Sequence, residues 1–179
     1  MYFNSFPVIP YDSSGNLIFK DVTNLMRRIG LRTKVRGNAL LYDTYDVKEG
    51  ETPEIIAHKL YGDTKLHWVV LMVNNITDRY YQWPMTQPDF AEFLTDKYGA
   101  GNEDSIHHYE LAQTSGKTTS SDSSHMLEVN SDTENATAIT NREFEERVQN
   151  DIRQIRLLDQ RYLDTFVEEF FTLVRKNQF

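Results

Sequence analysis

From Phe144 to Leu173 the large apolar residues Val148, Ile152, Ile155, Leu158, Tyr162, Phe166 and Phe170 recur every three or four positions. That spacing averages about 3.6 residues, the repeat of an α-helix, and it predicts one long helix from about Asn141 to Lys176. Such a helix would extend roughly 50 Å at ~1.5 Å per residue, more than a compact core of this size requires. Leu163, Val167, Phe171 and Val174 add a second apolar stripe near its end. A helix that is long and apolar on two sides is expected to lie against other chains.

Upstream, the pattern changes. The first 20 residues carry Pro7, Pro10 and the turn "DSSGN" between short apolar pieces, which predicts an extended arm with a turn that needs a surface to lie on. Val22, Leu25, Met26 and Ile29 then stand at helical spacing before Gly30, beside a basic cluster of Arg27, Arg28, Arg32, Lys34 and Arg36. "YDTYDV" alternates as a short strand. Thr52 and Pro53 form an N-cap and a first-turn proline, predicting a helix to about Tyr61 that stops at Gly62. A second helix, "KLHWVVLMVNN", is apolar nearly all round and needs cover on more than one side. Tyr80, Tyr81 and Trp83 before Pro84 predict a short strand, and "TQPDFAEFLTDKYG" one more helix. Between residues 100 and 140 the chain turns polar, with "IHHYELA" and "SHMLEVN" as strands of a hairpin around a Ser/Thr-rich tip. The fold class is therefore α+β, divided as residues 1–41 (arm and short helix), 42–98 (a β-α-α-β module and a following helix), 99–140 (polar region with hairpin) and 141–179 (long interaction helix).

Bulk properties exclude several functions. A chain of 179 residues with a net charge of −8 has the wrong sign for neutralising phosphates, so no nucleic acid is expected. Its lack of cysteine removes disulfides, thiolate metal sites and a Cys nucleophile, and suits a reducing cytoplasm or a place inside a larger assembly. The first residues lack a basic segment followed by an apolar run, so no signal peptide is expected, and no apolar run is long enough to span a membrane.

Catalytic patterns fail on inspection. His58, His67, His107, His108 and His125 are scattered, and neighbouring His107 and His108 are expected on opposite faces of a strand, where they cannot share an ion. "GKT" at 116–118 lacks the upstream glycine of a phosphate-binding loop, since that position is Leu111. No serine sits in a nucleophile elbow. Asp43, Asp46, Glu49, Glu51 and Glu54 cluster, but on a strand, a turn and a helix start, where solvation and the helix dipole account for them. No enzyme, cofactor or metal is expected.

"YDVKEGETPEIIAHKLYGD" followed by "LHWVVLMVNNI" resembles the LysM family over about residues 42–83, through Gly50, Glu51, Thr52, Ile56, Ala57, Asn74, Asn75 and Ile76. The resemblance implies a glycan groove between the first strand-helix loop and the loop after the second helix, at Gly50, Glu51, Thr52, Asn74, Asn75 and Ile76. The family's usual Gly-x-x-Leu-x-Ile-Pro ending is replaced by "TDRYYQWP", which alters one wall of that groove. Over most of its length, and most specifically through "YGDTKLHWVVLMVNNITDRYYQW", the chain also resembles a baseplate wedge protein of contractile-tailed, T-even-like bacteriophages that carries a LysM-like domain. That resemblance implies a structural virion subunit, assembled in the host cytoplasm, which clamps the helical core bundle of its own and the adjacent wedge. Membrane contact and glycan binding are not expected. A peptidoglycan-binding tail component is the alternative. For a clamp, Tyr80, Tyr81, Trp83, Phe166, Phe170 and Phe171 are the expected anchors, with Arg27, Arg28, Arg153 and Arg156 as rim charges.

Overall fold

The structure is a computed structural model that describes residues 2–26, 29–119 and 123–176. It divides into two units: Met1–Trp83 with Gln154–Phe179, and Pro84–Arg153. The second is an insertion in the sequence of the first. Strands and helices are mixed in both, giving an α+β protein.

The first unit opens with a hairpin of β1 (Val8–Tyr11) and β2 (Lys20–Thr23), paired antiparallel with Val8 opposite Thr23 and Tyr11 opposite Lys20. Short α1 (Thr33–Arg36) leads to β3 (Tyr42–Asp46) and α2 (Pro53–Tyr61). The Thr52 hydroxyl accepts from Ile55 N at 3.4 Å, Pro53 fills the first turn, and Gly62 ends the helix at φ +76° with its N–H on His58 O. Asp63 caps a 3-10 turn, its Oδ1 accepting from Lys65 N, and α3 (His67–Val73) follows. Ile56, Ala57, Val69, Val70 and Val73 pack as a solvent-excluded core.

Residues 79–83 do not form the expected strand. Asp78 Oδ1 accepts from Tyr80 N, and Gln82 Oε1 accepts from Thr77 N and Asp78 N, closing the segment into a helical turn, α4 (Arg79–Gln82). Trp83 is buried behind it.

The second unit comprises α5 (Gln87–Tyr98), the three-stranded antiparallel sheet β5-β4-β6 and the helix α6 (Asn141–Arg153), with β4 (Ile106–Ala112) central between β5 (Met126–Val129) and β6 (Thr137–Thr140). Glu145 on α6 is buried; its Oε1 accepts from Lys97 Nζ at 2.5 Å and Tyr98 OH at 2.6 Å, holding α6 to the end of α5.

The single helix expected over 141–176 is replaced by three elements. α6 stops at Arg153; Gln154–Leu158 is a strand, β7; and α7 (Gln160–Lys176) starts after Asp159, whose Oδ1 accepts from Arg161 N at 2.9 Å. β7 pairs antiparallel with β3, Tyr42 opposite Leu158 and Asp46 opposite Gln154. Ile155 fits a helical repeat with Leu158 and a strand alternation with Leu157, and burial beside β3 favours the strand. α7 then lays Leu163, Phe170 and Val174 into the core, Phe170 meeting Trp68 at 4.4 Å between ring centroids. The expected helix over 22–30 is also absent in the described part, since Val22 belongs to β2; Arg27 and Arg28 lie outside the described residues.

Candidate protein-interaction surfaces

The loop after β3 is held from three sides. Gly50 turns it at φ +72°, and the buried Glu51 carboxylate accepts from Tyr45 OH at 2.8 Å, from Lys48 N at 3.0 Å and from the Lys59 ammonium. Burial works to raise the Glu51 pKa, but these donors outweigh it and hold it at about 2. Glu51 O accepts from Trp83 Nε1 at 2.8 Å, so the indole locks this loop from inside. Across the core, Tyr61 OH donates to Leu158 O at 3.0 Å, and burial pushes its pKa up to about 12.

The loop after α3 is equally committed. Asn74 Nδ2 donates to Val70 O and Arg156 O, while its Oδ1 accepts from Arg156 N. Asn75 takes a left-handed conformation at φ +57° and accepts from Arg36 Nη2 at 3.1 Å; Ile76 packs against the core. Of the residues expected to line a glycan groove, Glu51, Asn74 and Asn75 thus have side chains already bonded within the protein, and Thr52 caps α2.

The expected partner anchors divide into two groups. Tyr80 and Tyr81 are 87% and 73% exposed, side by side on α4. Trp83 and Phe170 are buried, and Phe166 and Phe171 are half-buried around Trp68, with centroids 6.1 and 5.9 Å away. Leu163, Phe170 and Val174 of the late helix cover the protein's own core, while Tyr162 and Leu173 of the same helix stay exposed. Arg156 donates to Arg36 O at 3.0 Å and lies over the Tyr42 ring, whereas Arg153, in the second unit, lines a cavity of about 290 Å³ with Phe90 and Glu146.

The arm presents a run of exposed apolar side chains. Val8, Tyr11, Leu17, Ile18, Phe19, Leu25 and Met26 are all exposed, and both strands of the hairpin are accessible along their length. Its base is anchored by Phe6, which is buried in the core. The sequence signalled an apolar arm, but not its paired register or the tip geometry set by Asp12.

Among the described residues no group of three or more His, Asp or Glu is placed to hold a metal ion, and no helix is long and apolar enough to cross a membrane. His107 and His108 do not face opposite sides as expected. A register irregularity between Ile106 and His108 brings their Nδ1 atoms to 2.8 Å, with His108 Nε2 2.9 Å from Glu110 Oε1 and the His107 ring stacked on Phe144.

The family model for base plate wedge protein 53 matches residues 1–119, which includes the arm, α2, α3 and the Tyr80–Tyr81 pair. The chain belongs to the base plate wedge protein 53 family. Baseplate wedge protein gp53 of Enterobacteria phage T4 is 35% identical over 66 residues, which cover 36% of this chain and 34% of that protein. The match therefore spans about a third of that relative's length. For a base plate wedge protein 53 family member, surfaces that meet other proteins are the chemistry to look for, and here the exposed arm and the α4 tyrosines lie within the matched segment.

Proposed function

We propose that this protein is a non-enzymatic structural subunit of a contractile-tail baseplate, in which it links or clamps neighbouring wedges through protein contacts on a LysM-like β-α-α-β frame. The observation that carries this reading is the row of large apolar side chains along the arm, in the segment matched by the family model. A two-stranded hairpin exposed on both faces is marginal in water and gains stability from a partner surface. Tyr80 and Tyr81 supply a second anchor, rigid aromatic area being characteristic of interface centres. The helical core bundle of its own and the adjacent wedge is the proposed partner, with the virion baseplate as its place and the host cytoplasm as the site of assembly.

The alternative, a peptidoglycan-binding tail component, draws on the same frame. It has less support, because side-chain polar atoms of Glu51, Asn74 and Asn75 are already engaged by other groups of the chain. Co-expression with the other wedge proteins and affinity purification separates the two readings. The structural role expects wedge proteins to co-purify and cell-wall sacculi to be ignored. Retention on sacculi without any wedge protein would reverse the assignment.

A further inference from the structure

The arm's tip is built to a fixed shape. Asp12 accepts from Ser14 N at 3.0 Å and Gly15 N at 2.8 Å through Oδ1, and from Leu17 N at 2.7 Å through Oδ2, while Asn16 Oδ1 accepts from Ile18 N at 3.1 Å. This network holds Leu17 at φ +64°, a region unfavourable for a branched side chain, and leaves it 81% exposed beside exposed Ile18 and Phe19. Local strain that presents three consecutive large apolar side chains to solvent is typical of a contact site.

The first unit also carries a groove of complementary character. It has a volume of about 170 Å³ and is lined by Leu31, Val35, Met72, Phe170 and Leu173, with Arg32 and Glu169 at its rim. An apolar cavity of ~150 Å³ accepts a benzene ring, so this groove has room for the ring of one phenylalanine. The tip's apolar triplet is followed directly by Lys20 and Asp21, one charge of each sign, and the groove rim offers Glu169 and Arg32, again one of each.

We propose that copies of this chain join head to tail, with the Leu17–Ile18–Phe19 tip of one seated in the groove beside α7 of the next. Both halves of the contact are present on one chain: an apolar tip flanked by one charge of each sign, and an apolar groove with room for one aromatic ring and one charge of each sign in its lining. The two patches differ, so the contact is heterologous and propagates into a ring wherever the rotation closes. The inference rests on the wedge-linking role above and deepens it by naming a second copy as one partner.

Sedimentation velocity on the full chain tests it. Wild type is expected to associate with rising concentration, and Phe19→Asp, at an exposed tip, to weaken association about tenfold or more. Leu173→Asp, at a partly exposed groove position, should do the same. Mixed together, these two variants retain one intact tip and one intact groove, so they should form a one-to-one pair and go no further. Should Leu173→Asp fail to fold, a charge reversal replaces it: Lys20→Glu weakens association and is rescued by mixing with Glu169→Lys. Wild type that stays monomeric to its solubility limit overturns the self-contact, as does association indifferent to Phe19→Asp. Co-purification of that monomeric chain with wedge proteins would leave the wedge role standing, and its absence would remove both. Loss of wedge binding by Phe19→Asp in a monomeric wild-type background would place another baseplate protein on the tip and overturn self-association.

Discussion

The side chain of Asn74 and the main chain of Arg156 exchange two hydrogen bonds, each 2.8 Å, across 82 positions of sequence. The amide acts as an extra strand residue beside β7 and ties the end of α3 to it. Asn74→Ala leaves the Arg156 N–H and C=O to water, and is expected to cost about 1 kcal/mol. Urea unfolding checks this: an unchanged midpoint would show that the pair contributes nothing.

Glu51 gives stability a pH dependence. Its ordinary pKa of 4.5 applies to the unfolded chain, and the folded value is about 2, so the unfolded state binds the proton more readily between these limits. The contribution, about 3 kcal/mol at most, is complete above about pH 5 and declines as pH falls towards 2. Glu51→Gln is expected to lower stability at pH 7 and to flatten the acid limb of the melting curve. A wild-type limb with the same slope as the variant's would refute the role of Glu51.

The aromatic residues expected as anchors fall into a buried and an exposed class with different consequences on substitution. Phe170 is 4% exposed against Trp68, so Phe170→Ala is expected to cost about 3–5 kcal/mol. Tyr80→Ala and Tyr81→Ala should alter stability by less than about 0.5 kcal/mol while reducing wedge co-purification. Thermal melts paired with pull-downs distinguish the two classes. Unfolding of the Tyr80 variant would contradict its placement at the surface.

Leu17 offers a test in which stability and binding part company. Glycine adopts a positive φ without the steric cost of a branched side chain, so Leu17→Gly should not lower the melting temperature. It nonetheless removes an apolar side chain from the tip and is expected to weaken self-association. A variant that melts earlier but associates normally would reverse both expectations.

Local signals in the sequence were sufficient for α2, because Thr52, Pro53 and Gly62 each act within a turn of the residues they control. Residues 154–158 were illegible for the opposite reason: Ile155 fits a helical repeat with Leu158 and a strand alternation with Leu157, and the partner that decides between them, β3, lies more than 100 positions upstream. Only Asp159, a capping residue inside an otherwise helical stretch, hinted at a break. Tyr80 and Tyr81 looked like a strand because aromatic residues favour strands, but Asp78 and Gln82 bond the local backbone into a helical turn instead. For the candidate surfaces, residue type suggested stickiness without telling Phe170, which completes the core, from Phe19, which faces solvent.

The splice between α4 and β7 also sets an order of events during synthesis. β3 emerges from the ribosome early but cannot pair until residues 154–158 follow, after all of Pro84–Arg153 has been made. Pairings this distant in sequence form late, and until then β3 and the floor of the tip groove remain incomplete, because α7 arrives later still. A chain interrupted before that point lacks α7 and with it one wall of the groove, so such a copy is expected to be unable to receive another's tip.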